Sequence, residues 1–444
     1  PALMANDPTR ALAPIIIASS RKDRKPLILK GARQVGKTYI LKEFGEEQYE
    51  NIAYFNFDHD EPLKELFANT KDPKRILEQL IFATGRAIKP EKTLIIFDEI
   101  QECSDALNSL KYFQEEANEY HIVCAGSLLG IKLSHTSFPV GKVEYLEMYP
   151  MTFTEFLLAD GAENLVKYME SINKIEKIPD IIFTQLNEKI KSYFIVGGMP
   201  EVVRAWVENK DIEEVNRLQK QILKGYEDDF GKHIENSSMQ AKISIIWESI
   251  VSQLAKENKK FLYQVAKDGA RAREYEDAVD WLNNANIVDK IFNVTKPDFP
   301  LNAYTDLSSF KLYMLDVGLL RRKANLDSRI VIEGNKLFEE FKGALTENFI
   351  LNMLLVKYEE RPNYYVFDRH EIDFIIQERN EIIPIEVKSS ENRNNASLTR
   401  FNENNDNKIS VRFSTRNLDM SGKILNVPIF MAEYIDKLIQ IIRT

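Results

Sequence analysis

The stretch GARQVGKT, residues 31–38, follows an apolar strand-like run, PLIL, and precedes a run with helical periodicity. That order constrains the fold more than any other feature of the chain. Glycines let backbone N–H groups curl around phosphate oxygens, and the following helix points its positive end at the anion. Lys37 is placed to reach the β and γ phosphates, and Thr38 to offer a hydroxyl to Mg²⁺. The nucleotide-cradling set is therefore Gly31, Arg33, Gln34, Val35, Gly36, Lys37, Thr38 and Tyr39. Its companion is TLIIFDEI, a buried strand ending in Asp98 and Glu99. Asp98 is expected in the Mg²⁺ shell, and Glu99 is expected as the general base for water. Ser127 ends a further apolar strand, HIVCAGS, where a hydroxyl can sense the γ phosphate. ATP and Mg²⁺ are the expected cofactors. Strands alternating with helical runs imply a parallel sheet covered on both faces, extending to about residue 160.

A second constellation lies near the other end, in EIDFIIQERNEIIPIEVK, residues 371–388. Two apolar runs flank a polar turn at Arg379-Asn380, which reads as a hairpin. Strand side chains alternate faces, so Ile372, Phe374 and Ile376 share one face and Asp373 takes the other. The same alternation sets Glu386 and Lys388 opposite Ile383, Ile385 and Val387. A turn at Arg379-Asn380 brings Asp373 directly across from Glu386. Like charges so placed repel, and a divalent cation between them removes the penalty. Such a metal acidifies water and polarises a phosphoryl oxygen, with Lys388 orienting the nucleophile. The bland alternative is the solvated face of an edge hairpin, with Lys388 neutralising Glu386.

Between these two regions the chain is mostly helical. Gly197-Gly198 ends one helix, and Pro200 can open the next. From about residue 240 the pattern reads as helix, turn, helix, then strand, with a small wing in KLYMLDVGLL. The second of those helices, residues 271–283, carries Arg271 and Arg273 but also Glu274, Glu276, Asp277 and Asp280. Its acidity favours a structural or partner role over insertion into the major groove. The whole chain of 444 residues carries a net charge of −9, which argues against a non-specific DNA-coating protein. Only two cysteines are present, which suggests a reducing compartment, and the cytoplasm is the expected location. No apolar run is long enough to span a bilayer, and LAPIIIASS, residues 12–20, is not read as a targeting segment.

Taken together, GARQVGKT, IIFDEIQ, AGSLLGI, YPMTFTEFL, VGGMPEVV and LYMLDVGLL resemble the AAA-type (AAA_14) ATPases of bacteria and archaea that carry a DUF4143 domain. The resemblance covers nearly the whole chain after about residue 20. It implies ATP binding at Gly36, Lys37 and Thr38, with Asp98, Glu99 and Ser127 at Walker B and sensor positions. Many such relatives carry Gly-Arg where this chain has Gly141-Lys142. Lysine lacks the bidentate fork of an arginine finger, and Arg204 and Arg33 stand as alternatives. The hairpin resembles the PD-(D/E)xK nucleases, with Asp373 as metal-binding acid, Glu386 and Lys388 from EVK, and Glu347 from the first helix of that domain. The expected fold class is α/β. A P-loop NTPase sheet over residues 1–160 is followed by a helical lid over 161–235 and a winged-helix-like region over 236–333. A small restriction-endonuclease-like α/β domain over 334–444 completes it. The expected activity is Mg²⁺-dependent ATP hydrolysis coupled to a nuclease-like domain acting on DNA. The alternative is an ATP-driven switch whose C-terminal domain only binds a protein or nucleic-acid partner. AAA-type relatives often form rings, so self-association is a further expectation.

Overall fold

The computed structural model describes residues 24–85, 87–127, 141–232, 234, 236–256, 259–333, 339–389 and 396–443. Residues 12–20 and residues 128–131 of the AGSLLGI run lie outside these. The chain divides into two compact units: Pro1–Tyr149 with Asn284–Ile287, and Pro150–Asn283 with Val288–Thr444.

The first unit is a parallel sheet with helices between its strands. In chain order the elements are β1 (Leu27–Lys30), α1 (Lys37–Gln48), β2 (Asn51–Asn56), α2 (Glu61–Asn69), α3 (Pro73–Thr84), β3 (Thr93–Asp98), α4 (Ser104–Glu116), β4 (His121–Gly126) and β5 (Glu144–Glu147). The strand order is β2-β3-β4-β1-β5, and every pairing is parallel. Both faces are covered, so the central strands are apolar throughout rather than alternating. Leu94, Ile96, Val123 and Ala125 pack with Ile40, Leu41 and Phe44 of α1. Ile95, Phe97, Ile122 and Cys124 face the other way, into the side chains of α2, α3 and α4. Because all strands run the same way, their carboxyl ends share one edge, where ligands of open α/β sheets bind.

The second unit begins with helices α5 (Phe153–Ala159), α6 (Glu163–Ser171), α7 (Asp180–Val196), α8 (Pro200–Asn209), α9 (Ile212–Lys232), α10 (Ser237–Leu254) and α11 (Ala272–Asn284). Then come β6 (Val288–Val294), β7 (Thr305–Met314), α12 (Val317–Lys323), α13 (Glu339–Lys357), β8 (Asn363–Phe367), β9 (His370–Glu378), β10 (Glu381–Lys388) and α14 (Ala396–Asn404). Strands β11 (Ser410–Ser414), β12 (Asp419–Ser421), β13 (Ile424–Pro428) and helix α15 (Ile435–Arg443) complete the order. A mixed sheet of eight strands runs β12-β13-β11-β10-β9-β8-β6-β7. Helix α11 and the β6–β7 hairpin follow the helix-then-strand pattern read from the sequence. The wing does not fall where it was expected. Lys311–Met314 is the end of β7, and Asp316 then caps α12 through the Leu319 N–H at 2.8 Å. The C-terminal strands do not form a sheet of their own either, because β8 pairs in parallel with β6 across the expected boundary at residue 334.

The hairpin of β9 and β10 has the expected register, with Glu378 opposite Glu381 and Phe374 opposite Ile385. Arg379 takes a left-handed φ of 54°, as a two-residue hairpin turn requires. It is not an edge hairpin. It lies inside the sheet, with β11 on one side and β8 on the other. This accounts for the run Ile382-Ile383-Pro384-Ile385, which is buried on both faces.

Three of the family-like motifs meet in one buried knot. Gly198 N–H donates to Asp316 Oδ2 at 2.6 Å, and Met151 N–H donates to the Gly198 carbonyl at 2.7 Å. A Cβ on Gly197, which has φ 74°, would lie 2.3 Å from Asp316 Oδ1, and one on Gly198 would lie 2.0 Å from the Met151 carbonyl. Gln219 donates to the carbonyls of Ile195 and Val196, and Arg321 donates back to Gln219 at 2.6 Å. The motifs YPMTF, VGGMP and LDVGLL therefore hold each other. Asp316→Ala strands the buried N–H groups of Gly198 and Leu319 and removes a helix cap. The expected loss is about 2–4 kcal/mol of stability, read as a lower midpoint in urea unfolding of the second unit.

Candidate functional site

The loop between β1 and α1 closes on itself. Gly31 takes φ 149°, and a Cβ there would lie 2.3 Å from the Met148 carbonyl, so no other residue fits. Gln34 at φ 67° and Gly36 at φ 97° supply the left-handed turns that aim the backbone inward. Val35 is buried and anchors the loop from below. Lys37 is the first residue of α1, and its side chain is buried. Its Nζ donates to the Gly31 carbonyl at 3.0 Å, the Ala32 carbonyl at 2.7 Å and Ser127 Oγ at 3.2 Å. Burial pulls the Lys37 pKa down to about 8, with Glu99 and Asp98 holding it from falling further. Thr38 Oγ1 donates to Asp98 Oδ2 at 2.8 Å. The loop, the end of β3 and the end of β4 are thus brought to one point, as read from the sequence. Tyr39 lies on the exposed side of α1 and bonds Glu43 rather than the loop.

Two contributors were not legible in the sequence. Tyr54 on β2 also donates to Asp98 Oδ2, at 2.7 Å, and receives a bond from Asn56 Nδ2 at 3.3 Å. Burial, followed by that bond to Asp98, pushes the Tyr54 hydroxyl up to about 12, so it stays a donor. Gln101 donates from Nε2 to Glu99 Oε2. A period-two reading of IAYFNFD puts Tyr54 and Asn56 on one face, but not which strand they face. Of the arginine-finger positions, Lys142 is ion-paired with Glu115 at 2.9 Å in its own unit. Arg33 sits in the loop itself, and Arg204 is carried by α8 of the second unit.

Three of the acids on and around the β9–β10 hairpin are ion-paired with lysines. Glu347 on α13 is ion-paired with Lys259 and receives the Tyr313 hydroxyl at 3.2 Å. Burial pushes the Glu347 carboxyl up, but Lys259 and Lys311 outweigh it and hold the group below the usual range. The β9–β10 ladder ends at the Phe374–Ile385 pair. One step beyond, Asp373 Oδ2 accepts the Val387 N–H at 2.7 Å. Burial, reinforced by Glu347, raises the Asp373 pKa to about 7. Lys388 pairs with Glu386 at 2.7 Å, and Lys311 pairs with Glu371. Lys259 and Lys311 come from distant chain segments, and nothing local in the sequence points to them. Among the described residues, no group of three or more His, Cys, Asp or Glu side chains is placed to hold a metal ion. Of the two acids expected to hold a metal there, Glu386 is ion-paired with Lys388 and Asp373 accepts the Val387 N–H. At the phosphate loop the donor set does fit Mg²⁺, because Thr38 Oγ1 and Asp98 Oδ2 already converge.

A parallel sheet whose first loop buries a lysine beside a strand-ending Asp-Glu pair defines a nucleotide-binding domain of the phosphate-loop class. Residues 23–157 match an AAA domain (AAA_14), residues 187–329 a domain of unknown function (DUF8612) and residues 342–430 a domain of unknown function (DUF4143). The chain therefore carries an AAA-type P-loop ATPase domain and a DUF4143 domain. Among solved structures it is similar to the Walker-type ATPase PABY2304 of Pyrococcus abyssi, at 14% identity and TM-score 0.45, covering 72% of this chain and 95% of that one. It is also similar to AMPPCP-bound DnaA of Aquifex aeolicus, at 13% identity and TM-score 0.31, covering 77% and 90%. Cdc6p of Pyrobaculum aerophilum is a third, at 11% identity and TM-score 0.27, covering 75% and 95%. No curated protein matches the chain. Among the described residues, no helix is long and apolar enough to cross a membrane.

The buried lysine sets a pH dependence. A polyphosphate is held by the ammonium form, which dominates below a pKa of about 8. ATP affinity measured by calorimetry is expected to be flat below that pH. Above it, affinity falls by up to about tenfold per pH unit as Lys37 loses its proton.

Proposed function

We propose that this protein binds ATP with Mg²⁺ at the β1–α1 loop, hydrolyses it, and uses the nucleotide state to control what its second unit binds. The observation that carries the reading is the convergence of Lys37, Thr38, Asp98, Glu99 and Ser127 at the carboxyl edge of one parallel sheet. Backbone N–H groups of the loop and the first turn of α1 receive the phosphates. The Lys37 ammonium, now bonded to two main-chain carbonyls, turns to the β and γ oxygens. Ser127, already bonded to that ammonium, is the hydroxyl we assign to the γ phosphate. Glu99 takes a proton from the attacking water. Thr38 and Asp98 would hold Mg²⁺, which offsets charge on the phosphate oxygens. Cys103 and Cys124 are buried free thiols, and we place the protein in the cytoplasm.

For the second unit the switch reading is the stronger. Glu347, Glu371 and Glu386 each already have a lysine partner. The occupant we favour is a protein or nucleic-acid segment bound without cleavage. A second copy of the chain is the other partner that AAA-type relatives suggest. One observation favours metal-dependent cleavage of DNA instead. Glu386 Oε2 is buried with no hydrogen-bond partner, on the strand beside Asp373 and ahead of Lys388.

Turnover of ATP separates these readings from failure. Glu99→Gln is expected to lower kcat by about 100-fold or more while ATP still binds. Lys37→Ala is expected to abolish ATP binding itself. Wild-type turnover in either variant would overturn the ATPase reading. Supercoiled plasmid incubated with ATP and Mg²⁺ or Mn²⁺ tests the second reading. Intact plasmid is expected, and nicking that disappears in Asp373→Ala would favour the nuclease.

A further inference from the structure

Gln101 is almost entirely buried, at 4% exposure, in the single 3₁₀ turn Ile100–Glu102 that follows β3. The turn starts from Glu99, whose φ of 49° lies in the left-handed region that a side chain other than glycine rarely takes. That sharp reversal folds the Gln101 side chain back onto the Glu99 carboxylate, where Nε2 donates to Oε2. The contact fixes the orientation of the amide. An ionised carboxylate only accepts, so the NH₂ must face it and the carbonyl must face away. That carbonyl, Gln101 Oε1, is buried and has no hydrogen-bond partner in the protein. A buried acceptor left unpaired is costly, and a methionine or leucine would fill the same space without the cost. The arrangement leaves, beside Glu99, an acceptor that a group from outside the protein can use.

We propose that Gln101 is a positioning residue for ATP hydrolysis, clamping Glu99 by its amide and accepting one hydrogen of the attacking water with its carbonyl. The inference rests on the reading that ATP is hydrolysed at the β1–α1 loop. A water aimed at phosphorus needs two acceptors to fix its lone pair. Glu99 is the acceptor for the hydrogen that leaves, and Gln101 Oε1 is the acceptor for the hydrogen that stays. In the step, the water oxygen bonds to the γ phosphorus, and the bond from that phosphorus to the β–γ bridging oxygen breaks. The electron pair leaves with ADP, one proton passes to Glu99, and the other remains on the product phosphate. Nothing is oxidised or reduced. Gln101 stays neutral throughout and acts by orientation alone.

The test is Gln101→Met, which keeps the volume and removes both hydrogen bonds. Expected is a fall in kcat of about tenfold or more, with ATP affinity by calorimetry within about twofold of wild type. The unfolding midpoint is expected to be unchanged or higher, because an unpaired buried acceptor has gone. The double variant Glu99→Gln with Gln101→Met is expected to be no slower than Glu99→Gln alone, since both act on one water. Gln101→Leu is the second variant should the methionine form fail to fold. A wild-type kcat in the folded variant would overturn the proposal. So would a lowered midpoint with kcat intact, or full additivity in the double variant. If wild-type protein shows no turnover, the ATPase reading itself fails. If turnover is lost in Glu99→Gln and kept in Gln101→Met, only the role of Gln101 fails.

Discussion

A buried ammonium surrounded by oxygen acceptors organises the first unit. Lys37 has exchanged water for two main-chain carbonyls and a serine hydroxyl, with Asp98 and Glu99 near enough to sustain its charge. Taking a cation out of water is expensive, and it persists only where several oxygens face it. The loop's left-handed residues put Gly31 and Ala32 there, and the sheet order puts β3 and β4 beside β1. The loop and the strand ends therefore fix the position of this charge through protein contacts alone.

Asp98 is the second fixed point. Its Oδ2 accepts from both Thr38 and Tyr54, and its Oδ1 accepts the Glu99 N–H at 3.1 Å. Those bonds tie β2, β3 and α1 together at their functional ends. The chain then turns through Glu99 and brings Gln101 back against it. In the second unit the same physics has a different result. Burial and like charge raise the Asp373 carboxyl, while lysines from distant segments neutralise its neighbours. Acids that would repel one another are thereby each given a lysine partner.

The phosphate loop, the Asp98–Glu99 strand end and the β9–β10 register were legible because each is local. A glycine pattern, an apolar strand and a two-residue turn specify their geometry within a few residues. What was not legible is non-local. Tyr54 reaches Asp98 only because β2 lies beside β3, and Lys259 reaches Glu347 across 88 residues of chain. The turn at Asp316 was read as a wing because its apolar neighbours resemble a strand, whereas the carboxyl caps α12 and anchors Gly198. The expected boundary at residue 334 followed a change in pattern. The β6–β8 pairing that crosses it cannot be seen without the sheet. Glu386 and Lys388 were read onto one face and form an ion pair, whereas the lysines that pair with Glu347 and Glu371 come from distant segments.

The central claim is that the β1–α1 loop grips a triphosphate. Its most direct measurement is a calorimetric titration of the intact protein with ATP and Mg²⁺ near pH 7. The account predicts saturable heat at one nucleotide per chain, weakened when AMP replaces ATP. No heat with any nucleoside triphosphate, or equal affinity for AMP and ATP, would contradict it.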